Sequence, residues 1–84
     1  MNVYVVLSDV INTASSSHGM HGVYASKSGA KTCAISAIIS IAKNNGHNIT
    51  MADIEVSDYD NELYLNYSSD TMDIAVSCIK QEIL

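Results

Sequence analysis

Apolar residues recur at helical spacing over only one long stretch, Lys27 to Asn44 (KSGAKTCAISAIISIAKN). Wound at ~100° per residue, it presents three faces. Ile35, Ile38, Ile39 and Ala42 form a branched face; Ala30, Cys33, Ala34, Ala37 and Ile41 form a second, made mostly of small residues. Thr32, Ser36, Ser40 and Lys43 leave a narrow polar stripe. A surface helix keeps about half its circumference wet, so both apolar faces here need cover. A sheet supplies one cover. A second helix, a second copy of the chain or a partner supplies the other, and the small-residue face is the expected oligomer interface. Ser26 or Ser28 suits the N-cap, and Asn44-Asn45-Gly46 reads as a left-handed stop.

Elsewhere the period shortens to two. Asn2 to Ser8 (NVYVVLS) reads as a strand with Val3, Val5 and Leu7 inward and Tyr4 and Val6 outward. Residues 9–20 lack a period and carry Ser15, Ser16, Ser17 and Gly19, which favours a long loop. His21 to Ala25 reads as a second strand, with Val23 and Ala25 inward and Tyr24 outward. Ile49 to Val56 alternates, with Ala52, Ile54 and Val56 inward, and Ser57 to Asn61 makes a turn. Glu62 to Tyr67 then returns with Leu63, Leu65 and Tyr67 inward, completing an antiparallel hairpin.

The segment Thr71 to Glu82 fits two periods. IAVSCI is compatible with a strand. The cap residues Ser68-Ser69-Asp70 and the stripe Met72, Ala75, Val76, Ile79 and Ile83, with Asp73 early and Lys80 late, favour a helix. The expected order is ββαββα: an α+β two-layer sandwich, a four-stranded largely antiparallel sheet with two helices on one face. By that alternation the uncovered face carries Tyr4, Val6, Tyr24, Tyr64 and Asn66, with Asp53 and Glu55 alongside. Tyrosine beside acid suits a protein interface, so Tyr4, Tyr24 and Tyr64 are candidate contacts.

Length permits one domain, residues 1–84, with the marginal core of small domains. The 48% apolar content argues against disorder. Charge changes the picture more. The net charge is −5, and between Met51 and Asp73 lie Asp53, Glu55, Asp58, Asp60, Glu62, Asp70 and Asp73 with no Lys or Arg. Direct binding of nucleic acid, which needs a basic footprint, is therefore not expected. A protein partner with a basic surface is, and Asp53, Glu55, Asp58, Asp60 and Glu62 are its candidate contacts. No apolar run reaches the ~18 residues of a membrane span, and the N-terminus has no signal-peptide pattern; a cytoplasmic protein is expected.

Catalytic chemistry finds little footing. His18-Gly19-Met20-His21 spaces two histidines for a metal only on a helix, and no CxxC or HExxH accompanies them. Ser15-Ser16-Ser17-His18 lacks the nucleophile-elbow context. Lys27-Ser28-Gly29-Ala30-Lys31-Thr32 echoes a phosphate-loop ending without the leading glycine. Cys33 and Cys78 read as two buried thiols, with a disulfide or a reactive thiol as alternatives. No catalytic residue, metal site or cofactor is expected.

The opening Val3-Tyr4-Val5-Val6, then Gly22-Val23-Tyr24-Ala25-Ser26-Lys27 running into an alanine-rich helix, looks like the strand–strand–helix start of small phage and bacterial proteins. The whole profile, short, acidic and α+β with no catalytic motif, resembles phage-encoded inhibitors of bacterial defence, anti-CRISPR proteins among them. The resemblance implies a non-enzymatic inhibitor that occupies a basic, nucleic-acid-binding site of a defence complex in the host bacterial cytoplasm. The alternative is a small structural or regulatory homodimerisation module, in which the acids serve solubility.

Overall fold

The computed structural model describes residues 2–12 and 16–83. In chain order they form β1 (Asn2–Asn12), β2 (Ser16–Tyr24), α1 (Lys27–Asn44), a 3₁₀ turn (Met51–Asp53), β3 (Glu55–Asp58), β4 (Glu62–Ser68) and β5 (Met72–Glu82). The five strands make one sheet, ordered β2-β1-β5-β4-β3, and every neighbouring pair is antiparallel. A single helix, α1, covers one face. The expected four-stranded sheet with two helices is thus corrected to five strands and one helix.

The difference lies in the last segment. Met72, Ile74, Val76 and Cys78 alternate inward and are all buried. Their strand is the centre of the sheet, hydrogen-bonded to β1 on one side and β4 on the other. Satisfying two ladders and burying every second side chain outweighs the helical stripe that the same residues permit. The cap residues are used in a hairpin turn instead. Ser69 N–H donates to Met72 O at 2.8 Å, and the Ser68 hydroxyl donates to Asp73 Oδ1 at 2.6 Å.

The stretch expected as a loop over 9–20 belongs largely to two strands. β1 continues to Asn12 and β2 begins at Ser16; Ser15 lies outside the described residues. The phase of β1 is also the reverse of the expected one. Val6, Ser8 and Val10 are buried, whereas Leu7 and Ile11 are exposed. Apolar residues occupy both phases from Val3 to Leu7, so alternation gave no preferred face. The depth of Val6 under α1 decides it. β2 follows, because Val5 pairs with Val23 and Tyr4 with Tyr24. Val23 therefore lies on the uncovered side and Tyr24 against the core.

α1 has the expected bounds. Ser26 is the N-cap, its side chain accepting from Gly29 N–H at 3.1 Å. The other end closes in a Schellman motif: Gly46 N–H donates to Lys43 O at 3.1 Å and His47 N–H to Ala42 O at 2.8 Å. Gly46 takes φ 84°, the conformation that makes glycine the natural residue there. Ala30, Ala34, Ile38 and Ala42 are wholly buried. Three alanines along this stripe let the helix backbone approach the sheet closely, and the Cys78 thiol donates to Ala30 O at 3.6 Å. Ile38 is the one large side chain among the four, worth ~1.5–3 kcal/mol by burial alone.

The β3–β4 hairpin forms, with Leu63 and Leu65 buried and Tyr67 against the core. Of Ala52, Ile54 and Val56, all expected inward, however, only Ile54 is buried, and β3 runs on to Asp58 into the expected turn. The hairpin's first strand is nonetheless shorter, because Met51–Asp53 coils into the 3₁₀ turn. Asp53 caps that turn by accepting from Thr50 N–H at 2.9 Å. Lys27 at the helix start ties the hairpin down, donating to the Asp58 carboxylate and to Tyr59 O at 2.9 Å. The Lys27 pKa is raised, chiefly by that hydrogen bond to Asp58.

Candidate functional site

With α1 on one side, no described element covers the opposite face of the sheet. The registers set Val5, Leu7, Asp9 and Ile11 of β1 on it, beside Val23, Met20 and His18 of β2. Ala75, Ser77 and Ile79 of β5 continue it, followed by Glu62, Tyr64 and Asn66 of β4 and Glu55 of β3. Large apolar side chains stand open here: Leu7 is 38% exposed, Ile11 52%, Met20 67% and Val23 54%. Toward the middle, a shallow depression of about 520 Å³ has Gly19, Ala75 and Ser77 among its small lining residues, with Leu7, Tyr64 and Ile79 around them.

Lysine is confined to the helix side of the sheet. The uncovered face carries Asp9, Glu55, Glu62 and Asp73. The chain's four basic side chains are Lys27, Lys31, Lys43 and Lys80. Three belong to α1. Lys80 pairs with Tyr4 on the helix side of β5. Among the described residues the only cation-forming side chain on the uncovered face is therefore His18, whose Nδ1 lies 3.0 Å from Asp9 Oδ1.

This face is not the one expected from the sequence. Of Tyr4, Tyr24 and Tyr64, only Tyr64 lies on it; Tyr4 and Tyr24 pack against the core on the helix side. The five acids expected as one patch are divided. Glu55 and Glu62 share the uncovered face, but Asp58 points to the helix side and pairs with Lys27. Asp53 is engaged in its own turn, and Asp60 sits in the tip of the β3–β4 hairpin, at the other end of β3 from Asp53. The oligomer face is split too. Ala30 and Ala34 are in the core and so cannot meet a second chain, while Cys33, Ala37 and Ile41 are half-buried on the flank.

Both sheet edges are blunted. β3 is four residues long and has Glu55 and Asp58 at its ends. β2 is interrupted by a bulge: Val6 pairs with Gly22 and Leu7 with Met20, leaving His21 between them. Gly22 adopts φ 154°, and a Cβ there would stand 3.0 Å from the Tyr24 ring. Charge, shortness and bulges are the usual guards against edge pairing, so the face is the better-prepared surface.

The bulge turns His21 toward the helix side, where its Nε2 lies 2.7 Å from the Ser8 hydroxyl. That separation suits a nucleophile and its base. Ser8, however, is buried, and among the described residues no hydrogen-bond partner orients the other ring nitrogen. The pair closes the bulge. His21 also borders a groove with Tyr24, Cys33, Thr32, Ser36 and Ser40. There the Tyr24 pKa is raised, first by its hydrogen bond to Cys33 and then by that thiol's charge. Cys33 and Cys78 are both free. No group of three metal-ligating side chains occurs among the described residues.

The bulge and the open depression escaped sequence reasoning. Gly19 and Gly22 flanking His21 were the available signal, since isolated glycines in a strand mark bulges. No helix among the described residues is long and apolar enough to cross a membrane. No family model, no curated protein and no solved structure matches this chain.

Proposed function

We propose that this protein is a non-enzymatic binding module that docks a basic surface of another protein on its uncovered sheet face. The supporting observation is the exposure of Leu7, Ile11, Met20 and Val23 side by side on a face that carries Glu55, Glu62 and Asp73 toward its fringe and no lysine among the described residues. Four inter-strand spacings by about seven residues give a flat area on the order of 500 Å². Side-chain relief raises that toward the ~800 Å² per partner of a standard interface. Acids at the fringe speed encounter with a basic partner and disfavour acidic ones. Self-pairing of this face brings carboxylates against carboxylates, with His18 alone to offset them.

In its narrower form the partner is a nucleic-acid-binding surface of a bacterial defence complex, and the protein a phage-encoded inhibitor. That form draws on the acidic profile and needs only the acids of the uncovered face. The test compares capture from bacterial lysate by the wild type, by Leu7→Glu/Met20→Glu and by the helix-side control Ser36→Glu, followed by mass spectrometry. A partner kept by wild type and control but lost by the face variant is the expected result. A partner that the face variant still holds overturns the proposal.

A further inference from the structure

Resting on that docking reading, we infer that the occupant of the uncovered face is an amphipathic helix of the partner, apolar along one stripe and flanked by Lys or Arg. Three observations lead there. An added strand has no welcoming edge, because β2 is bulged and β3 is short and charged at both ends. The middle of the face is not flat. Its depression brings the small residues Gly19, Ala75 and Ser77 together with the taller Leu7, Tyr64 and Ile79, a volume of about 520 Å³ within the ~300–1,000 Å³ range of ligand-sized sites. Large apolar side chains from one helix stripe can enter it, the mode in which helices are held in apolar grooves. The third observation is charge: Glu55 and Glu62 lie on β3 and β4 to one side of the central β5, and Asp9, beside His18, lies on β1 to the other, with no lysine among them, so cationic flanks on the helix are met on both sides. Such a partner turns the two-layer fold into a three-layer one, with the sheet between two helices.

The inference is tested with ¹⁵N-labelled protein and three synthetic peptides: an 18-residue Leu/Lys amphipathic helix, its Leu/Glu counterpart, and a scrambled Leu/Lys peptide without an apolar stripe. The Leu/Lys helix is expected to shift the amides of Leu7, Tyr64, Ala75 and Ser77 saturably. The other two peptides should bind at least tenfold more weakly. Ser77→Trp, which fills the depression, should abolish binding. Glu55→Lys/Glu62→Lys, exchanges at the margin that leave the core untouched, should weaken it about tenfold. Equal binding of all three peptides, shifts centred on Thr32, Ser36 and Ser40, or no saturable shift from any peptide overturns the helix inference. A captured protein that needs Leu7 and Met20 while every peptide fails would leave the docking reading standing and remove only this one.

Discussion

Val6 and Leu7 are neighbours in sequence and lie on opposite faces of β1, so paired substitutions test the phase of the whole sheet. Val6 is wholly buried beneath α1, whereas Leu7 is 38% exposed on the uncovered face. Val6→Asp removes about 1.5–3 kcal/mol of burial and adds the desolvation of a carboxylate without a partner, several kcal/mol more. A chain of 84 residues has a total stability of about 4–13 kcal/mol, so this variant should be largely unfolded. Leu7→Asp forfeits only part of a leucine's burial and some strand propensity, about 1–2 kcal/mol together. Urea titrations followed by far-UV circular dichroism measure both. Leu7→Asp should retain a cooperative transition, with its midpoint lowered by about 1–2 M at a slope of ~1 kcal/mol/M. Equal losses for the two variants, or the greater loss at Leu7, would refute the assigned phase and with it the uncovered face.

Three further outcomes follow from local geometry. Ser26→Ala removes the side-chain acceptor of Gly29 N–H and should cost about 1 kcal/mol in urea titration. Gly46→Ala should cost about 1 kcal/mol through backbone strain alone, since φ is 84° and nothing lies within 4 Å of the added carbon; removing Gly22 should cost more, because strain there is joined by a clash with Tyr24. Burial, and secondarily the charge of Cys33, pushes the Cys78 thiol up to about 11 from 9.0. Its unfolded form ionises first, so this contribution to stability is complete below pH 9 and is lost as pH rises toward 11. Iodoacetamide at pH 8 should accordingly modify half-buried Cys33 before Cys78, giving a singly alkylated folded species by mass spectrometry.

The helix and the β3–β4 hairpin were legible because each carries signals at several levels that agree. In α1, apolar spacing, the Ser26 cap and the Gly46 stop all point to one element. In β4, Leu63, Leu65 and Tyr67 alternate against polar neighbours. β5 was ambiguous because Met72, Val76 and Ile79 satisfy helical spacing while Met72, Ile74, Val76 and Cys78 satisfy alternation. Only pairing with β1 and β4, which no local window contains, chooses between them. The uncovered face inherited the error in β1. With Val3, Val5 and Leu7 on one phase and Tyr4 and Val6 on the other, both sides of the strand are apolar, so the amount of cover on each side decides. The acids misled differently: contiguity in sequence from Asp53 to Asp73 becomes dispersal once the chain doubles back at Tyr59–Asn61 and again before Met72.

β5 comes last in chain order among the five strands of the sheet and lies in its middle. Until residues 72–82 leave the ribosome, the β1–β2 and β3–β4 hairpins have no common neighbour, and α1 lacks much of the surface it needs. Assembly of the sheet therefore waits for β5, and the pairing of β5 with β1 joins Asn2 to Glu82, a long-range closure of the kind that slows folding. Until that pairing forms, the apolar sides of both hairpins stand open to water, the condition in which partly folded chains aggregate.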